Sequence, residues 1–189
     1  MRELSLHIMD IIENGIAAGA NRIGLKIIED KEHNLLTITI ADNGKGISQE
    51  MLEKVMDPFF TTRTTRRVGL GLSLFRQASK QCAGEFHIQS AEGKGTEVSA
   101  SFRMDHIDLV PLGDMAASMT CLIMGNADVD FEYTHEANGR SFHLDTGRIR
   151  DELEGVSFNH PNVIRYIERM IRESLEELKQ DQEETPCRN

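Results

Sequence analysis

The alternating run Leu35-Leu36-Thr37-Ile38-Thr39-Ile40 closes on Ala41-Asp42-Asn43-Gly44-Lys45-Gly46-Ile47, and this junction constrains the chain more than any other stretch. Alternation of that kind predicts a half-buried strand. Two glycines then let the backbone turn sharply, and Ser48 reads as the N-cap of a short helix running to Val55. A carboxylate accepts hydrogen bonds and donates none. Asp42 at a semi-buried strand end therefore calls for a donor, and an amino group on a flat ring is one that fits. A plain structural loop has the same form, so the meaning of Asp42 depends on the rest of the chain.

Upstream, Leu4, Ile8, Ile11, Ile12 and Ala18 fall at helical spacing. Asp10 and Asn14, four apart, share one face of that predicted helix. Such a pair reads either as a solvated face with Glu13 or as a polar site. Gly19 ends the helix, and Gly15 marks a place where something packs close to the backbone. Residues 21–30 and 35–41 form a predicted antiparallel hairpin after the helix. The segment 56–69 is polar, β-branched and basic, with Arg63, Arg66 and Arg67, and it ends at Gly69-Leu70-Gly71-Leu72, where helix signals resume to about Cys82. Gly-x-Gly opening a helix is either a tight turn or an anion site built from free N–H groups at the positive helix end. Residues 85–90 and 96–102 read as a second hairpin, with His87 on its exposed face.

Five segments thus stand in a fixed order: Asp10-Ile11-Ile12-Glu13-Asn14, Asp42-Asn43-Gly44-Lys45-Gly46, Asp57-Pro58-Phe59-Phe60-Thr61-Thr62, Gly69-Leu70-Gly71-Leu72 and Gly93-Lys94-Gly95-Thr96. Together they resemble the histidine-kinase-like (Bergerat-fold) ATPase superfamily, which includes gyrase B, Hsp90, sensor histidine kinases and MutL. The resemblance covers about residues 3–104 and is nearest to the sensor-kinase and anti-sigma kinase branch. It implies an α/β two-layer sandwich, with helices on one face of a mixed sheet, and a site for ATP and Mg2+. Asn14 matches the Mg2+ ligand and Asp42 the carboxylate that accepts from the adenine amino group. Gly44 and Gly46 match the glycines beside the ring. Phe59, Thr62 and Arg63 fall in the lid over the nucleotide. Gly69, Leu70, Gly71 and Leu72 match the phosphate-binding turn, and Thr96 matches a pocket-floor residue near the adenine. Asp10 stands where ATP-hydrolysing members carry a catalytic Glu, one methylene longer. Two further departures are Ala17, where many relatives are charged, and Arg67-Val68, where the first glycine of the turn is usual.

The remaining segment differs in charge. Residues 1–104 hold 13 acidic and 13 basic residues, whereas residues 105–189 hold 18 and 8, which is the whole net charge of −10. That argues against nucleic acid as a partner of the second segment. The expected organisation is an ATP-binding domain over 1–104, an acidic α+β region over 105–180 and a disordered tail over 181–189. Met115, Met119 and Met124 lie on a predicted helix 114–124 and read as core filler or as a partner groove. Asn138-Gly139 between residues 129–135 and 140–146 is a hairpin signal. It puts Phe131, Tyr133, His135, Phe142, Leu144 and Thr146 on one face. A helix from Pro161 carries an apolar stripe that docks on this hairpin or forms a dimer coil, so a dimer stays open.

Cys82, Cys121 and Cys187 have no metal or disulfide spacing. Without a leader-like N-terminus or an apolar run of ~20 residues, a cytoplasmic protein with no membrane partner is expected. Sensor kinases carry a phospho-accepting helical segment ahead of the ATPase domain. Here the Asn14 helix opens the chain, so the acceptor is expected on a separate protein or in residues 105–189. The expected function is transfer of the ATP γ-phosphate to a histidine or serine of a partner. The alternative is an ATP-gated binding module with little or no catalysis. An ATP-hydrolysing clamp ranks third, since the chain is short for the transducer domain such proteins need.

Overall fold

The computed structural model describes residues 3–55, 71–153 and 156–180. In chain order the elements are α1 (Leu4–Ala17), β1 (Arg22–Asp30), β2 (Leu35–Asp42), α2 (Gln49–Val55), α3 (Gly71–Gln81), β3 (Phe86–Ala91) and β4 (Gly95–Arg103). Then follow α4 (Met115–Gly125), β5 (Asp130–Ala137), β6 (Arg140–Asp145), α5 (Thr146–Glu152) and α6 (Pro161–Gln180). The six strands make one sheet in the order β3-β4-β2-β1-β5-β6. All neighbours are antiparallel except β1 and β5.

Period-two alternation decides which face is covered. Ile23, Leu25 and Ile27 of β1, Leu36, Ile38 and Ile40 of β2, and Val98, Ala100 and Phe102 of β4 are buried together with Phe131, Tyr133 and Leu144. The other face is polar: Lys26 pairs with Glu136 at 2.8 Å, and the Thr39 and Ser99 hydroxyls meet at 3.2 Å. Helices therefore pack on one face of a mixed sheet, an α/β two-layer sandwich of the Bergerat type. Residues 130–145 continue the same sheet as the β1–β2 hairpin. Met115 and Met119 of α4 are buried core filler, and α6 lays Val163, Ile167, Ile171 and Leu178 against α4 and the β5–β6 hairpin. Asn138 and Gly139 take φ +55° and +75°, the left-handed pair a tight hairpin turn requires. None of the described helices is long and apolar enough to cross a membrane.

Helix α1 starts without a side-chain cap. Its Leu4 and Ser5 amides instead donate to the carbonyls of Pro111 (3.0 Å) and Leu112 (2.8 Å), which satisfies groups a helix start leaves open. His7, 4% exposed, is tilted against Phe75 at 5.7 Å, and its Nδ1 has no hydrogen-bond partner. Burial holds its pKa below the usual histidine range. A depressed histidine pKa costs stability as the pH falls below ~6.5, because only the unfolded chain then takes up the proton readily. His7→Phe removes both defects and keeps the ring contact. It is expected to stabilise the fold by about 1 kcal/mol, or about 3 °C in Tm, with the larger gain on the acid side. Thermal melts of both chains across that pH range check it.

Candidate functional site

The series Leu36, Ile38, Ile40 places the next inward position of β2 at Asp42, so a carboxylate occupies the end of an apolar column. Across the sheet Asp42 is in register with Thr96 of β4, and Thr96 with Ser90 of β3. The Ser90 and Thr96 hydroxyls lie 2.8 Å apart, and Ser90 Oγ also meets the Gly95 carbonyl at 2.8 Å and accepts from the Ile47 amide at 2.9 Å. A row of three polar side chains therefore ends the covered face beside β1.

The loop after β2 is held from both sides. Asp42 Oδ1 accepts from the Gly44 amide at 2.8 Å, an Asx turn. Asn43 Oδ1 accepts from the amides of Asn21 and Arg22 at 3.0 Å each. The Lys45 amide donates to Ala18, and the Lys45 carbonyl accepts from Gly93. Gly44 is bare because Ala18 and Asp42 Oδ1 stand about 3 Å from where its Cβ would be. Gly46, at φ +64°, leaves room for the Ala91 carbonyl.

Helix α1 supplies the facing wall. A Cβ on Gly15 would lie 2.9 Å from Asp42 Cβ and 3.2 Å from Oδ2, so bare helix backbone abuts the carboxylate. Asn14 precedes Gly15, and Asp10 lies one turn earlier, about 6 Å along the axis; both are half-buried. A Cβ on Gly71 would lie 3.1 Å from Asp10 Cβ. Asp10 thus stands against the first residue of α3, the helix end that carries partial positive charge. Helix α1 therefore touches Asp42 at Gly15 and the start of α3 at Asp10, with Asn14 between the two along the helix.

Burial raises the Asp42 carboxyl above the usual aspartate range, while hydrogen bonds from the Gly44 and Thr96 backbone pull it down. The group is costly to leave charged and gains from a ligand donor on Oδ2, the oxygen Gly44 does not engage.

Asp10, Asn14, Asp42, Gly44, Gly46, Gly71, Leu72 and Thr96 are brought to this one end of the sheet. Phe59, Thr62, Arg63, Gly69 and Leu70 lie outside the described residues. Three contributors stand outside the residues matched to the site from the sequence, although Gly15 reads there as a place of close packing. Ser90 was signalled by the alternation Phe86, Ile88, Ser90. Gly95, at φ +86°, leaves space for the Asp42 carbonyl, and Gly15 admits the carboxylate itself. Among the described residues no cluster of three metal-ligating side chains occurs.

The family model for histidine kinase-, DNA gyrase B-, and HSP90-like ATPases matches residues 2–106. A putative sensor protein of Shewanella frigidimarina (strain NCIMB 400) is 33% identical over 109 residues, which cover 57% of this chain and 17% of that protein. Sensor histidine kinase ZraS of Salmonella typhi is 36% identical over 90 residues, 47% of this chain and 19% of the relative. Sporulation kinase D of Bacillus subtilis (strain 168) is 34% identical over 96 residues, 49% and 18% respectively. The chain therefore spans less than a fifth of the length of these relatives. Among solved structures, the N-terminal domain of a DNA repair protein superposes with a TM-score of 0.54 at 17% identity, covering 77% of this chain and 53% of that one. That likeness concerns the fold alone.

Proposed function

Because this chain belongs to the histidine kinase-, DNA gyrase B-, and HSP90-like ATPase family, we propose that the Asp42 row is the adenine end of an ATP site used for phosphotransfer to a separate protein. Family membership supports an ATP-binding regulatory role. The single observation that carries the specific reading is the bare Gly15 backbone against a half-buried Asp42. A Cβ there would meet the Asp42 side chain at 2.9–3.2 Å, so the glycine is what lets the carboxylate seat against α1, where it could accept from the amino donor of a flat ring. Asp42 accepts such a donor, whereas the carbonyl of a guanine would leave the carboxylate repelled, a penalty of a few kcal/mol.

Asn14 would hold Mg2+ as one of the few protein oxygens this ion takes. The start of α3 at Gly71 and Leu72 would face the phosphates with free N–H groups. Bound Mg-ATP supplies a transferable γ-phosphoryl group. The chain's own task is then positioning and charge neutralisation, the main source of catalysis in phosphoryl transfer. Asp10, beside Gly71 and a turn from Asn14, would accept a proton from an incoming hydroxyl or imidazole.

A second reading, an ATP-gated switch, draws on the Pro111 and Leu112 carbonyls at the head of α1. That helix carries Asp10 and Asn14, so any shift along it reaches the segment beyond residue 106.

Asp10→Ala separates the two. ATP affinity by calorimetry is expected to stay within about threefold, because the substitution leaves the adenine end intact. Label transferred from γ-labelled ATP to a lysate protein is expected to fall by about 100-fold or more. Unchanged transfer would remove Asp10 from the chemistry, and no transfer by the parent chain would favour the switch.

A further inference from the structure

At the end of β1 remote from Asp42, a cavity of about 420 Å3 opens between the sheet, residues 111–113 and α6. That volume falls within the ~300–1,000 Å3 of small-molecule sites. Its walls are apolar, with Leu112, Met115, Leu175 and Leu178, and its polar lining is Glu29, His135 and Lys179. His135, 3% exposed, lies between the Tyr133 hydroxyl on Nδ1 and Glu29 Oε1 on Nε2, each at 2.8 Å. Burial pushes the Tyr133 hydroxyl pKa up, so the phenol keeps its proton where it meets Nδ1. Nε2 faces the Glu29 carboxylate, which only accepts, and donates to it.

That hydrogen bond, the largest influence on it, holds the Glu29 carboxyl below the usual range, so the cavity contains an ionised carboxylate at neutral pH. His135 engages one Glu29 oxygen, and the other has no hydrogen-bond partner among the described residues. Lys179 lowers the Glu29 pKa through space without a direct ion pair among the described residues. The cavity thus has the Glu29 carboxylate in its lining and Lys179 on its solvent-exposed side, which do not neutralise each other at contact. An uncharged apolar molecule engages neither, and a simple amine or acid engages one.

We propose that this cavity binds a small zwitterion with an apolar body, of the class of the aliphatic α-amino acids. Its ammonium sits on the free oxygen of Glu29, its carboxylate on Lys179 and its side chain against Leu112, Met115, Leu175 and Leu178. Occupancy fixes residues 111–113, whose Pro111 and Leu112 carbonyls hold the first amides of α1. This coupling to nucleotide affinity rests on the proposed ATP site; the binding itself does not.

The test is calorimetry on the full chain without nucleotide, with leucine as the probe. Leucine is expected to bind about tenfold more tightly than isoamylamine, which offers only the cation, or 4-methylpentanoate, which offers only the anion. Lys179→Gln, on an exposed position of α6, is expected to weaken leucine by about tenfold without changing the melting temperature. Leu178→Trp fills the cavity and is expected to abolish binding, with the methyl resonance of Met115 as the local reporter. No leucine binding, equal binding of either analogue, or full affinity in Lys179→Gln would overturn the site, and none of these measurements involves ATP. With leucine bound, ATP affinity is expected to change by about threefold or more. An unchanged value overturns the coupling alone.

Discussion

In Asp42→Asn, ATP affinity is expected to fall by about 100-fold, with the melting temperature at neutral pH holding or rising. The affinity loss follows from replacing an acceptor-only group by one that presents its own N–H donors to an amino group, at about 3 kcal/mol. The stability side follows from the electrostatics. Burial raises the Asp42 pKa, so the fold disfavours the charged carboxylate. A raised acid pKa means a penalty present above the unfolded value and relieved as the pH falls through the folded value. The asparagine is never charged and keeps an oxygen for the Gly44 amide. The parent chain should therefore gain on the variant as the solution is acidified toward the Asp42 pKa. Calorimetry with ATP and thermal melts at two pH values measure both halves. Retained affinity would remove Asp42 from the nucleotide site.

Gly95→Ala is expected to lower stability by about 3 kcal/mol, or about 9 °C in Tm, and to weaken ATP with it. A Cβ there would lie 1.9 Å from the Asp42 carbonyl oxygen and 2.9 Å from Asn43 Cα, on a backbone at φ +86°. Relief requires the ends of β2 and β4 to part, which moves Asp42 away from Thr96. Gly93 supplies the control on the same turn. It has φ +74° but nothing within 4 Å of its would-be Cβ, so Gly93→Ala carries only the left-handed penalty of about 1 kcal/mol. Equal losses in the two variants, read by melting, would mean that the close approach of Gly95 to Asp42 is not what demands glycine.

What could be read from the sequence was local. The four-residue spacing of Asp10 and Asn14, the alternation up to Asp42, and Asn138-Gly139 as a turn each depend on periods or dihedrals within a few residues. The helix α5 was missed because its start signal is the single side chain of Asp145, which accepts from the Gly147 and Arg148 amides, right after a strand. The parallel pairing of β1 with β5 could not be read, since it joins Arg22 to Asp130 and no local pattern specifies a partner at that distance. Ser90 escaped notice for a related reason: its inward direction was legible, but its hydroxyl contact with Thr96 needs the β3–β4 register. Gly95 was noticed only as part of a turn, because the carbonyl it makes room for comes from another strand.

The distance between β1 and β5 along the chain has a consequence for how the molecule is made. Until residues 130–137 have left the ribosome, β1 has a partner only on its β2 side, and its other row of N–H and C=O groups stands open beside Ile23, Leu25 and Ile27. An open, apolar strand edge is a template for pairing with a neighbouring chain. The acidic second segment, which carries all the excess negative charge, is therefore also the part that seals this edge. Until it docks, the nascent ATPase half is the stretch most in need of a chaperone.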